Sequence, residues 1–160
     1  MFERLQSLIW SFVLSLSFVG SVSAQSLKLD ELNCMRRAAA IVEQIGAQFD
    51  RRSPSGANIF MRHPALNSLT LSCERGLFNM TVDKPIPDRE FYEILDRAST
   101  IMFASRPGQG RALAQNCHKK ALDKKSSLMA EVEDALLSID CNVVLRGEGA
   151  LFMGISARGN

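Results

Sequence analysis

The chain has 160 residues, and 19 Lys and Arg against 17 Asp and Glu leave a formal net charge of +2. A balance this close to neutral creates no strong field, which argues against a dedicated nucleic-acid binder. The length suits one domain with a real core.

Residues 1–24 divide into three parts. "MFERLQ" sets Arg4 and the chain amine against Glu3. "LIWSFVLSLSFVG" is an apolar run from Leu8 to Gly20. Small residues follow, with Val22 and Ala24 at the two positions a signal peptidase reads. The apolar run is shorter than the roughly 20 residues that a bilayer span needs. The pattern predicts a secretory signal peptide cut between Ala24 and Gln25. It leaves residues 25–160 as a single globular domain with no membrane span, in the periplasm or outside the cell. Cys34, Cys73, Cys117 and Cys141 all lie in that part, and an even count in an oxidising compartment predicts two disulfides. None has a C-x-x-C spacing, so neither a zinc knuckle nor a thioredoxin-like site is indicated.

In chain order, residues 30–49 repeat Leu32, Met35, Ala39, Val42, Ile45 and Phe49 at spacings of three and four, which predicts a helix capped by Asp30. "DRRSPSGAN" is expected to end it with Pro54 and Gly56. "NIFMR" reads as a short strand. In "SLTLSCERGLFNMTVD", a turn at Arg75-Gly76 sets Cys73 against Phe78, Leu71 against Met80 and Leu69 against Val82. All these apolar side chains then share one face of a hairpin. Pro85 and Pro87 stop the sheet. Asp88 can cap a helix over 88–105 with Phe91, Ile94, Leu95, Ala98, Ile101 and Met102 on its buried side.

"RPGQG" breaks the chain, and a third helix over 110–124 carries Leu113, Cys117 and Ala121 four residues apart. Its end is followed by an ambiguous stretch, 127–137. Local propensity favours helix through Leu128, Val132 and Leu136, while a repeated helix-plus-meander plan favours strand. The helical reading is adopted, with a break at Ser126-Ser127 so that Cys117 can reach Cys141. A last hairpin, looped at Gly147-Glu148-Gly149, sets Leu145 against Leu151, Val143 against Met153 and Cys141 against Ile155. The fold expected is therefore α+β. Helices pack on one face of two antiparallel β-hairpins, with two helix-plus-meander halves as the alternative arrangement. Each half is stapled internally, Cys34 to Cys73 and Cys117 to Cys141.

Chemistry-bearing motifs are sparse. His63 and His118 have no second histidine four residues away, as a helical metal site needs, so structural or surface roles are expected. There is no G-x-S-x-G elbow, and "RPGQGR" lacks the third glycine or Walker lysine of a phosphate loop. No catalytic residue, metal ligand or cofactor is predicted. Lys119, Lys120, Lys124 and Lys125 form the densest charge, a solvated helix face or a contact surface for an acidic partner. Arg36-Arg37 and Arg51-Arg52 are candidates to extend it. The function expected is a non-enzymatic exported binding or interaction protein, such as an inhibitor, an immunity-type antagonist or an accessory of envelope assembly. Its partner would be another protein or an envelope component. The alternatives are a small hydrolase built around His63 or His118, and a carrier with an apolar pocket.

Overall fold

The computed structural model describes residues 31–124 and 128–159. The elements are α1 (Glu31–Ile45), β1 (Gln48–Arg52), β2 (Asn58–Arg62), β3 (Ser68–Ser72), β4 (Leu77–Val82), α2 (Arg89–Phe103), α3 (Gln109–Asp123), β5 (Met129–Glu133), β6 (Leu137–Val144) and β7 (Ala150–Ala157). The strands form one seven-stranded sheet, β1-β2-β3-β4-β7-β6-β5, antiparallel at every pairing. The helices cover one face, so the fold is α+β as the pattern predicts. The two meanders join through β4 and β7, where Phe78 pairs with Ile155, Met80 with Met153 and Val82 with Leu151. All six side chains are buried on the helix side. Joining there turns two apolar strand edges into one paired seam.

Both predicted disulfides form, Cys34–Cys73 with Cα atoms 5.6 Å apart and Cys117–Cys141 at 6.1 Å. Each ties a helix to the sheet. α2 packs against both α1 and α3, and α3 lies on β5 and β6. The buried side of α3 is Gly110, Ala114, Cys117, His118 and Ala121. These mostly small side chains let its backbone come close to the strands. The Cys117 Sγ, bonded and without a proton to donate, sits 3.3 Å from the Ala130 carbonyl and 3.4 Å from that of Ile139.

Several expectations are corrected. The first helix ends at Ile45, because Gly46 takes a left-handed φ of 72°. Phe49 is therefore on β1, and "SPSG" turns a hairpin between β1 and β2 instead of ending a helix. The buried side of α1 is Cys34, Ala38, Ile41 and Ile45, whereas Leu32 is 61% exposed. Both hairpins keep their predicted faces but shift by two residues. Leu71 pairs with Phe78 and Leu69 with Met80, while Val143 pairs with Leu151 and Cys141 with Met153. Each loop is longer than expected, and a slip of two preserves the face. Residues 129–133 are strand, not helix: Ala130 and Val132 alternate inward, and pairing with β6 overrides local propensity. The chain does leave the helix before β5, but Ser126-Ser127, like Asp30 and residues 1–24, lies outside the described residues. Asp88 occupies the N-cap position of α2 without a side-chain cap bond; its carboxylate pairs with Lys84 instead.

The "RPGQG" segment is a helix corner. Asp96 of α2 accepts from the Gly108 backbone N–H at 2.8 Å and from that of Arg111 at 3.1 Å. The carboxylate thus fills the helix terminus where a phosphate would otherwise sit. Gly110 faces Ser99, whose hydroxyl donates to the Asp96 carbonyl at 2.8 Å and lies 2.8 Å from that of Ser105. These bonds give the motif a packing role.

Candidate functional site

The two histidines are the natural starting points for chemistry, and both are committed internally. The Nε2–H of His118 donates to the Pro85 carbonyl at 2.8 Å. That fixes Nδ1 as the acceptor of the Tyr92 hydroxyl at 2.6 Å. The imidazole is buried and ties α2, α3 and the 83–88 segment together. Burial lowers its pKa from the usual 6.5, partly offset by the Pro85 bond, and burial pushes the Tyr92 hydroxyl up to about 12. His63 repeats the pattern. Its Nε2–H donates to the Ile45 carbonyl at 3.0 Å, and the Ala65 N–H donates to its Nδ1 at 3.2 Å. Neither ring meets a serine hydroxyl or a carboxylate in these bonds, and neither keeps a free nitrogen for base catalysis or a metal. Among the described residues no cluster of His, Cys, Asp or Glu could hold a metal ion.

A stability consequence follows for His118. Its folded pKa lies below its unfolded value, so the unfolded chain takes up the proton first as pH falls below about 6.5. The stabilisation is complete above that pH and is lost progressively below it, down to the folded-state pKa. Urea midpoints should fall between pH 7 and 5, and His118→Gln should flatten that slope. An equal slope in the variant would show that this imidazole is not the titrating group.

A polar cleft of about 690 Å³ borders His63. In it Asn67 bonds Asp83 and Lys84 pairs with Asp88. A second cleft of about 580 Å³ lies between Arg106, Gln109 and Asp134. There Asp134 accepts from the Gln109 amide at 2.5 Å and from the backbone of Leu136 and Leu137. Its carboxyl feels desolvation upward, yet these bonds and Arg158 hold it below the usual range. In both clefts the polar groups are largely paired with one another.

Lys119, Lys120 and Lys124 are exposed at the end of α3, and Lys125 lies outside the described residues. The fold does not extend this patch with Arg37, Arg51 or Arg52. Arg37 donates to the Met102 carbonyl at the end of α2 at 2.5 Å. Arg51 and Arg52 are on β1, the edge strand opposite β5, roughly 29 Å across the sheet at about 4.8 Å per strand.

What the sequence could not show is the second face of the sheet, which no helix among the described residues covers. One row crosses all seven strands on that face: Arg51, Phe60, Thr70, Asn79, Gly154, Asp140 and Glu131. Its neighbour contains Ser68, Thr81, Phe152, Asn142 and Met129. Neither a protein-family model, nor a curated protein, nor a solved structure matches this chain.

On that face Phe152 is 44% exposed and Met129 57%, close to the centre and to one edge. The Arg51 guanidinium lies over the Phe60 ring, 4.4 Å from its centroid. Asp50 bridges Arg51 at 2.6 Å and Arg62 at 2.5 Å. At the other end Glu131 stands directly opposite Asp140, a like-charge pair that destabilises a sheet. Desolvation raises the Asp140 pKa first, and Glu131 adds to it. Gly154 leaves room for Asp140 and Asn79 to fold over it: a Cβ there would meet Asp140 Oδ2 at 2.2 Å and Asn79 Oδ1 at 3.0 Å. No helix among the described residues is long and apolar enough to cross a membrane.

Proposed function

We propose that this is an exported, non-catalytic interaction protein of the periplasm or extracellular space that works through the uncovered face of its sheet. The observation that carries the reading is that face itself, with Phe152 exposed among small polar side chains and charges of opposite sign at its two ends. Faces of this kind, an aromatic within a polar field, suit protein partners. The committed state of both histidines removes the support that the hydrolase alternative needed. The cleft at His63 is polar, the one at Asp134 mixes Ala104, Pro107, Ala135 and Leu136 with its polar groups, and both are open to solvent, unlike the enclosed apolar cavity that a carrier needs. Export rests on the secretory pattern of residues 1–24 and agrees with the two disulfides, which persist in oxidising compartments.

Export has its own measurement. Intact mass of the processed protein is expected to match a chain starting at Gln25. Full-length chain in the cytosol, with no shorter species, is the contrary result. For function, the chain is used for affinity capture from an envelope extract, beside His63→Gln/His118→Gln, Thr70→Arg/Phe152→Arg and Lys119→Glu/Lys120→Glu variants. Capture is expected to survive loss of the histidines and to fail when the face is blocked. Loss with the lysine pair alone would move the contact surface to α3. Turnover of a substrate that vanishes with the histidine pair would overturn the non-catalytic reading.

A further inference from the structure

The charges on the uncovered face are arranged, not merely present. The row that crosses the sheet begins on Arg51 of β1 and ends on Glu131 of β5, and β4 is the middle strand of the seven. At the basic end, Arg51 and Arg62 share Asp50, which leaves a net positive charge. At the acidic end, Glu131, Asp140 and Glu133 outweigh the single Arg158 paired with Glu133 at 3.4 Å. The two ends lie at equal distances, three strands, from the middle.

We propose that the uncovered face pairs with the same face of a second copy of this chain, about a two-fold axis parallel to the strands near β4. This rests on the interaction reading above and names its partner. Rotation about such an axis keeps each residue at its height along the strands and exchanges the two edges. Arg51 of each copy then meets the partner's Glu131, and the contact is made twice. Phe60 falls over the partner's Asp140 strand, and Phe152, one strand from the axis, falls over the partner's β3 at Ser68 and Thr70. Two sheets of the same hand of twist stay parallel under this rotation, at the roughly 10 Å spacing of packed sheets. A face-to-face two-fold perpendicular to the strands sets Arg51 against Arg51 and Glu131 against Glu131, and repulsion opposes it.

Three features favour a second copy over a foreign protein. The complementary face already exists, on the same chain. Arg51 is held on the face by Phe60 and Asp50 instead of extending from the edge. The Glu131–Asp140 pair, unfavourable in the single chain, gains a cation in the pair. The area also fits. Seven strands about 4.8 Å apart and about 20 Å long offer roughly 600 Å² per copy, at the lower limit of specific interfaces. A reversible dimer of about micromolar affinity is the consequence. Edge-to-edge growth is opposed by the charges on β1 and β5.

Sedimentation equilibrium and native mass spectrometry on the purified chain test this. The wild type is expected to pass from monomer to dimer between about 1 and 100 µM and to stop there. Arg51→Glu alone and Glu131→Arg alone should each weaken the dimer at least about tenfold, because each places two like-charge contacts in the interface. Mixing the two variants should restore dimer as a heterodimer, since both contacts are then of opposite sign. Both positions are on the strand surface, so a circular dichroism spectrum unchanged from wild type verifies folding. A monomer throughout the range, growth beyond two copies, or a mixture that stays monomeric overturns the pairing. The chain alone is measured here. A monomeric chain that still loses its captured partner on Thr70→Arg/Phe152→Arg sinks the pairing and leaves the interaction reading standing. A chain that pairs as described yet turns over a substrate through His63 or His118 sinks that reading and leaves the pairing.

Discussion

Replacing Cys34 and Cys73 together by alanine is expected to lower the free energy of unfolding by about 4 kcal/mol. The bridge closes a sequence separation of 39. The chain-entropy account assigns a loop of that size about 3.9 kcal/mol, and about 3.5 kcal/mol to the Cys117–Cys141 loop with its separation of 24. Against a total of about 5–15 kcal/mol for an ordinary domain, either loss is large. The two losses should differ in place more than in size. α1 has the bridge to the end of β3, a short buried stripe, the His63 bond to the Ile45 carbonyl at 3.0 Å, and bonds to α2 that include Arg37 to the Met102 carbonyl and Arg97 to that of Gln44 at 3.1 Å. Without the bridge it can open alone, so its amides should exchange much faster while those of β6 and β7 stay protected. α3 lies directly on β5 and β6, and loss of its bridge should lower protection across the second meander as a unit. Urea midpoints and hydrogen exchange of the two double variants decide this. Unchanged midpoints in both would show that neither bridge restrains the unfolded chain.

The faces of the sheet were legible in the sequence and its registers were not, for one physical reason. Alternation in "SLTLS" and "LFNMTV" says which side chains share a side, and a slip of two residues leaves that answer intact. Register is set by how many residues the loop takes up. Arg75-Gly76 and Gly147-Glu148-Gly149 mark where the chain turns, but the loops absorb Cys73 and Leu145 as well. The disulfide pairing was legible because it needs only the faces. The α1 stripe was not legible because Leu32 and Met35, large and apolar, are exposed, while the small Cys34 and Ala38 are buried. Gly46 was the available signal for the end of that helix. β5 was hidden because Ala130, Glu131 and Glu133 favour helix in isolation, and only its partner strand decides otherwise. The charged row across the open face was beyond reach. It exists only through the β4–β7 pairing, between strands far apart in the chain.

Gly110→Ala should cost about 3 kcal/mol, and its neighbour Gly108→Ala only about 1, although Gly108 alone has the backbone that disfavours side chains. Gly108 sits at a left-handed φ of 86°, but a Cβ there would meet nothing nearer than the Arg111 guanidinium at 3.8 Å. Only conformational strain is at stake. Gly110 has ordinary helical geometry, and a Cβ would lie 2.3 Å from Ser99 Oγ and 3.2 Å from the Asp96 Cα. Ser99 is fully buried and cannot swing away without breaking its bonds to the Asp96 carbonyl and the Ser105 hydroxyl. The alternative is to push α3 off α2. That separates the Asp96 carboxylate from the Gly108 and Arg111 N–H groups, a contact expected to contribute about 1–2 kcal/mol as a helix cap. Ser99→Ala removes the hydroxyl the new methyl would strike, so it should recover part of the Gly110→Ala loss and none of the Gly108→Ala loss. Thermal or urea denaturation of the single and paired variants measures each difference. Equal costs at the two glycines, or no rescue by Ser99→Ala, would show that "RPGQG" acts through backbone freedom alone and that the close approach of α2 and α3 does not depend on Gly110.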